Sequence, residues 1–478
     1  LSTVERRHIT LQNVPSSEWD RIAGDGFNLV FLMGVWSRSV IGRELALSDP
    51  ALVQEYGRIL PGWSAADVAG SAYCIQRYEP DERMGGWAGL DTARRELNTR
   101  GLRLILDLVP NHTGFDHPWI AQHPRRFVLG TAEDVDAAPD DFRTMTSREG
   151  LVHVACGRDP HFAPWRDVAQ LNYFNPETRE AMRGVLRALA AHCDGVRCDM
   201  AMLVLNDVFE RTWRRVLHGD WPRLPHEFWP AATRAVPELL YLAEVYWDLE
   251  GVLLDQGFTY AYDKRLLDAL HAPDAASRVR HLLAADNPEG ARLARFIENH
   301  DEPRSADMFA ARLTAASALA STLPGMRFLF DGQQDGRRIR SPVQLARWPQ
   351  EPIDAGVRAM YERMLRFASQ DLLHAGEWRL LEVWPAADGT VPAIVAYRWR
   401  TPAALAVVVV NLGGAAAEAH VGLGADLPAG MVFDFADALT GASYRWPREA
   451  LERTGLYVRL EAGGAHLFSV AVSSDSES

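Results

Sequence analysis

Apolar residues recur along this chain in two rhythms. Short apolar runs at Phe27–Trp36, Arg103–Val109, Asp194–Met200, Leu239–Val245, Gly257–Asp263, Leu293–Asn299 and Met326–Phe330 have the length of buried strands. Between several of them lie stretches with helical periodicity. Arg179–His192 places Met182, Val185, Leu186 and Leu189 on one face. Ser16–Gly24 opens with a serine cap and Glu18 in its first turn, and Asp91–Gly101 stops at a glycine. Ala310–Leu323 and Val357–Ser369 read as later helices. Strands alternating with helices predict a parallel sheet of β/α units.

Two regions break this alternation. Thr113 to about Gln170 is too long for a simple connection and holds His117, Trp119, Asp159, Trp165 and Asp167 between turns. From about Ala375, short strand-like runs follow one another, from Trp378–Trp384 to His466–Val472, separated by turns rich in Gly, Pro and Ala. That spacing predicts a β-sandwich. The terminal Ser-Asp-Ser-Glu-Ser is polar and is expected to be mobile.

Composition narrows the function. A length of 478 residues suits two or three domains, and 47% hydrophobic residues suit a large core. A net charge of −13 argues against nucleic acid as a partner. Lys264 is the only lysine, which nearly removes Schiff-base chemistry. Cys74, Cys156, Cys193 and Cys198 are too scattered for a disulfide framework or a zinc site and are expected to be buried thiols. No apolar run of about 18 residues is present and no signal peptide is visible, so the expectation is a cytoplasmic protein without a membrane partner. The first residue is Leu, which leaves room for a segment upstream.

Chemistry gathers where the runs end. In Asp194-Gly195-Val196-Arg197-Cys198-Asp199, alternation sends Arg197 and Asp199 to the same side. A buried carboxylate needs a cation or donors. Asp199 could be a nucleophile kept ionised by Arg197, or half of a structural ion pair. Asp107-Leu108-Val109-Pro110-Asn111-His112, Ala243-Glu244-Val245 and Glu298-Asn299-His300-Asp301 set polar groups at further strand ends. In a β/α barrel the C-terminal strand ends carry the chemistry.

With four such ends in order, the chain resembles the α-amylase family of glycoside hydrolases over most of its length. The resemblance implies an α/β fold, a (β/α)8 TIM-type barrel with a small inserted B domain and a C-terminal antiparallel β-sandwich. It places the barrel at 1–112 and 171–374, the insertion at 113–170 and the sandwich at 375–478. In this plan Phe27–Trp36 is the second strand. Only Leu1–Gln12 is left for the first, which is expected to be missing or reduced, with Leu1–Ile9 at most a very short substitute.

Retaining cleavage of a glycosidic bond uses two carboxyl groups about 5–5.5 Å apart. By resemblance Asp199 is the nucleophile, Glu244 the acid/base and Asp301 the group that stabilises the distorted sugar. His112 and His300 would bind hydroxyls of that sugar, Tyr73 would stack on it, and Arg197 would keep Asp199 charged. Asp107 and Asn111 would be structural support. Ala243, Val245 and Tyr246 suggest an apolar setting that favours protonated Glu244. Two positions depart from the family. Cys74 stands where its glucosidases have an Asp, and Met200-Ala201-Met202-Leu203 replaces a Lys-His pair, which predicts a less polar leaving-group subsite. No cofactor is expected. Asn111 with Asp167 hints at calcium, but no dense acidic loop is visible, so no metal is expected. The expected partner is a carbohydrate, an α-glucan or α-glucoside. The implied activity is a retaining α-glycosidase. The alternatives are an α-glucan transglycosylase or disaccharide-forming isomerase, and a non-catalytic binding module.

Overall fold

The structure, a computed structural model, describes residues 2, 7–284, 289–386 and 393–473. The polar tail at 474–478 and most of the Leu1–Ile9 segment lie outside the described residues. The chain forms two compact units, Leu1–Tyr262 with Ser341–Pro349, and Asp263–Arg340 with Gln350–Ser478.

In the first unit, parallel strands run in the order Leu29–Leu32, Arg103–Leu108, Gly195–Cys198, Leu240–Ala243, Tyr260–Tyr262. The central strands are buried on both faces because helices cover them, among them Gly86–Asn98 and Pro176–Ala190. Met182, Leu186 and Leu189 are buried on the Pro176–Ala190 helix, whose Asn175 side chain accepts the Glu177 N–H and so caps it. Gly195 begins its strand where neighbours crowd it. A Cβ there would lie 2.6 Å from both the Leu240 carbonyl and the Ile105 side chain.

One strand differs from its sequence reading. The Phe27–Trp36 run was expected to be one fully buried strand. Val35 and Trp36 are buried, but Trp36 opens a separate strand, Trp36–Arg38, and the run's parallel strand is only Leu29–Leu32, all four residues half-buried. Among the described residues this strand pairs only with Arg103–Leu108, so one edge has no covering neighbour from this unit. No strand precedes it among the described residues.

The insertion is built on antiparallel strands. His112–Gly114, Trp165–Gln170, Gly150–Gly157 and Leu129–Gly130 pair in that order, and Phe142–Ser147 adds to Gly150–Gly157. Because His112–Gly114 pairs with Val168–Gln170, the insertion's two ends meet beside the strand that delivers Asn111 and His112.

The second unit holds the parallel pair Leu293–Arg295 and Met326–Arg327, helices including Leu313–Thr322 and Ala355–Ala368, and an antiparallel domain. The predicted Ala310–Leu323 helix is interrupted: Ala310–Arg312 is a 3-10 turn, and Ala310 itself has a φ of 44°. The antiparallel domain packs a six-stranded sheet against a three-stranded one. Their inner faces interdigitate through Val407, Val409, Phe433, Phe435, Val421 and Val458. Each such fully buried side chain contributes about 1.5–3 kcal/mol. Among the described residues the parallel strands of the two units number seven.

Candidate active site

Arg197 is the centre of the polar cluster in the first unit. It has no solvent exposure. Its Nη1 donates to Asp199 Oδ1 at 2.7 Å, its Nη2 pairs with Glu244 Oε2 at 2.9 Å, and Asp107 Oδ1 lies 3.8 Å from Nη1. Three neighbouring strands supply these groups, with Arg197 opposite Asp107 on one side and Leu242 on the other. Asp199 and Glu244 each stand one residue beyond their strands, side by side at the C-terminal end of one parallel ladder. One guanidinium touches both carboxylates, which limits their separation to what that planar group can span. Burial opposes the Arg197 charge, but Glu244, Tyr73, Tyr262 and Asp199 outweigh it and hold the guanidinium well above its ordinary range.

Aromatic rings enclose the cation. It lies 5.1 Å from the Tyr73 ring centre and 5.6 Å from that of Tyr262, and its Nε donates to the Tyr262 hydroxyl at 3.3 Å. Tyr73 is half-buried, so one side of its ring meets solvent. Asp107 serves the framework: its Oδ2 accepts the Gly34 N–H at 2.8 Å, and its carbonyl accepts the Trp36 indole at 2.8 Å. Asn111 exchanges hydrogen bonds with Gln170 and lies 3.3 Å from His112 Nδ1, tying the insertion to the strand end.

Glu244 does not have the apolar setting its sequence neighbours suggest. Ala243 and Val245 are fully buried in the core, while the Glu244 side chain faces donors. Besides Arg197, its Oε2 accepts the Met200 N–H at 2.7 Å, and Tyr246 Oη donates to Oε1 at 2.9 Å. A strand end sends alternate residues to opposite sides, so Tyr246, two residues on, returns to Glu244. Tyr246, Tyr262 and the Met200 amide are site groups that the sequence reading missed. The two-residue spacing of Tyr246 from Glu244 was its available signal.

The Met200–Leu203 segment follows Asp199 directly. Met200 takes a left-handed conformation, φ 42°, and turns the chain into a 3-10 helix over Ala201–Val204. Ala201, Met202, Leu203 and Val204 are buried, as Asp199 and Glu244 are, while Met200 is half-buried. Trp247 and Asp248 are left-handed as well, and strained backbone thus follows both carboxylates. Cys74 is buried, with its Sγ donating to the Asp167 carbonyl, and burial pushes its thiol up. It is a packing residue where the family pattern has a carboxylate.

The second unit carries His300 and Asp301. Asn299 Oδ1 accepts the N–H groups of Asp301 and Glu302 at 2.8 and 3.0 Å, a turn that fixes their direction. His300 Nε2 lies 2.9 Å from Asp301 Oδ2. The Asp301 side chain is 49% exposed and within reach of a ligand. Glu298, fully buried, anchors this loop by accepting from Arg304 Nη1 at 2.6 Å and from the Ser305 N–H. No group of three or more His, Cys, Asp or Glu among the described residues is arranged to hold a metal. No helix among them is long and apolar enough to cross a membrane.

Two buried histidines give the fold a pH dependence. Burial lowers His112 from 6.5 to about 4, against the charge of Asp167 and a hydrogen bond from the ring to the Tyr73 backbone. Burial likewise lowers His117 to about 4, and its Nδ1 accepts the Trp119 N–H at 3.1 Å, which requires the neutral ring. The unfolded chain therefore binds more protons between pH 6.5 and about 4. Stability is expected to be unaffected by these rings above that window and to fall as pH drops through it. His117→Asn keeps a cap acceptor without a titrating group. Its denaturation midpoint should fall less steeply than the parent's between about pH 6.5 and 4. Equal slopes would remove His117 from this account.

No protein-family model matches the chain. Among curated proteins it is 26% identical over 322 residues to α-amylase MalA of Haloarcula japonica, an alignment covering 66% of this chain and 43% of that protein. It is 27% identical over 319 residues to trehalose-6-phosphate hydrolase of Escherichia coli, covering 56% and 55%. It is 25% identical over 258 residues to 4-α-glucanotransferase of Thermotoga neapolitana, covering 50% and 54%. The chain spans about half the length of the curated relatives it matches. Among solved structures, the maltogenic α-amylase AmyB of Thermotoga neapolitana superposes with a TM-score of 0.66 at 18% identity, over 96% of this chain and 94% of that one. The α-amylase of Geobacillus thermoleovorans gives 0.64 at 17%, over 97% and 93%.

These superpositions define the fold class: a (β/α)8 TIM-type barrel with a small insertion and a C-terminal antiparallel β-sandwich. By sequence the chain is similar to enzymes named α-amylase, trehalose-6-phosphate hydrolase and 4-α-glucanotransferase, and its fold is that of the solved α-amylases.

Proposed function

We propose that the protein is a retaining α-glycosidase acting on α-glucans or short α-glucosides by double displacement. The observation that carries this reading is the sharing of one guanidinium, that of Arg197, by Asp199 and Glu244 at the ends of adjacent strands. Retention requires two carboxyl groups close together, one to attack and one to move a proton. Asp199, held as an ion by Arg197, attacks the anomeric carbon. Glu244 protonates the departing oxygen, and the bond to that oxygen breaks as the bond to Asp199 forms. Glu244 then takes a proton from the acceptor, which displaces Asp199 and restores the α configuration. Asp301, half-exposed and oriented by the Asn299 turn, binds hydroxyls of the distorted sugar. Tyr73 stacks on its face, and His112 and His300 donate to it.

The acceptor decides between hydrolysis and transfer. Relatives named α-amylase and 4-α-glucanotransferase support both readings. Incubation with maltooligosaccharides, trehalose, sucrose and maltose-1-phosphate, followed by product separation and proton NMR, is the test. A first-formed α product from at least one α-linked substrate is expected, and none with Asp199→Asn. A first-formed β product, or no turnover of any of them, would overturn the proposal. Water as acceptor yields reducing sugars, whereas transfer yields longer or isomeric ones.

A further inference from the structure

The C-terminal domain carries a row of aromatic rings that the proposed chemistry does not use. Its three-stranded sheet orders Val383–Pro385, Ala417–Val421, Leu456–Leu460. Alternation sends Ala419, Val421, Leu456, Val458 and Leu460 into the core. The opposite parity faces outward and holds Trp384, His420 and Tyr457. Their register is direct: Trp384 stands opposite His420, and His420 opposite Tyr457. The first two rings stack, with centres 6.3 Å apart and planes at 22°, and His420 meets Tyr457 at 5.7 Å. Trp384 and Tyr457 are each 37% exposed.

The local sequence makes room for this arrangement. A Cβ at Gly455 would lie 2.9 Å from the Trp384 ring and one at Gly422 3.1 Å from it, so the indole rests on two bare stretches of backbone. Gly455 also has a φ of 78°, which glycine tolerates. Beside the row, Glu418 and Arg459 face each other across the same two strands, 3.9 Å apart and about half-exposed. Isolated exposed aromatics need no explanation, but three in register with a polar pair alongside form a surface. The row spans three strands, about 10 Å, with Trp384 and His420 near-parallel and the Tyr457 ring turned 61° from His420 at one end. Such an aromatic strip, edged by a donor and an acceptor, matches sugar rings, which have C–H faces and hydroxyl rims.

We propose that Trp384, His420 and Tyr457 form a non-catalytic surface that binds an α-glucan chain. The choice of an α-linked glucan rests on the proposed function; the platform itself does not. The test is retardation of the full chain in native gels containing soluble starch, in the Asp199→Asn background so that the polysaccharide is not consumed. Trp384→Ala and Tyr457→Ala are each expected to weaken the apparent affinity by ~10-fold, and Trp384→Phe to recover most of it. In the active chain both alanine variants should turn over a short chromogenic maltotrioside at the parent's rate. Tyr457→Ala lacks the glycine seat and reads the same row if Trp384→Ala fails to fold. Unchanged retardation in both alanine variants would overturn the proposal, as would a parent that starch does not retard. Retardation lost on Tyr457→Ala in a chain with no turnover would sustain the surface while refuting the proposed activity. Turnover without retardation would do the reverse.

Discussion

Arg197→Leu is expected to cost about 3–5 kcal/mol of folding stability, the loss typical when one member of a buried ionic cluster is removed. The residue has no solvent exposure, and three carboxylates, Asp107, Asp199 and Glu244, lie within 3.8 Å of its terminal nitrogens. Without the cation they repel one another where water cannot screen them. Turnover should fall with stability, because Asp199 would lose the partner that keeps it charged. Arg197→Lys is the informative companion. A lysine keeps the charge but has no planar fork to span two carboxylates. It should recover part of the stability and little of the turnover. Chemical denaturation of the three proteins measures the first effect and steady-state kinetics the second. A loss below about 1 kcal/mol for Arg197→Leu would mean that the cluster is not held by this cation.

Glu244→Gln should slow substrates with sugar leaving groups by about 10²–10⁴-fold, the usual worth of a positioned general acid. Substrates with an activated aryl leaving group need little protonation and should slow far less in the bond-breaking step. The glutamine oxygen can still accept the Met200 amide, and its NH2 group can donate to the Tyr246 hydroxyl, which also accepts, so the local fold should persist. The comparison is made on kcat/KM, which reports that first step. Equal slowing of both substrate types would remove Glu244 from the acid role and leave it as a partner of Arg197. Asp199→Asn provides the reference, since loss of a nucleophile should abolish turnover of both types alike.

The chain's own pattern determined which segments would be strands and where polar residues would cluster. Alternation alone places Arg197 and Asp199 on one side, and they pair at 2.7 Å. Short apolar runs with chemistry at their ends carry the barrel pattern, and period-two runs after Ala375 carry the sandwich. Both are local periodicities, written in neighbouring residues. What only the tertiary structure decided is what each polar group faces. Ala243 and Val245 predict an apolar place for Glu244, but their side chains go into the core, while Glu244 meets Arg197 from the neighbouring strand and the Met200 amide from the next loop. Met200–Leu203 reads as a plain apolar stretch in sequence, yet left-handed Met200 opens a 3-10 helix whose Ala201, Met202, Leu203 and Val204 are all buried. Phe27–Trp36 has the composition of a doubly covered strand, but its Leu29–Leu32 strand is half-buried, with one paired neighbour in its unit. Periodicity specifies a residue's side of its own element. Burial and electrostatics depend on elements distant in sequence, and no local pattern encodes which of them arrive.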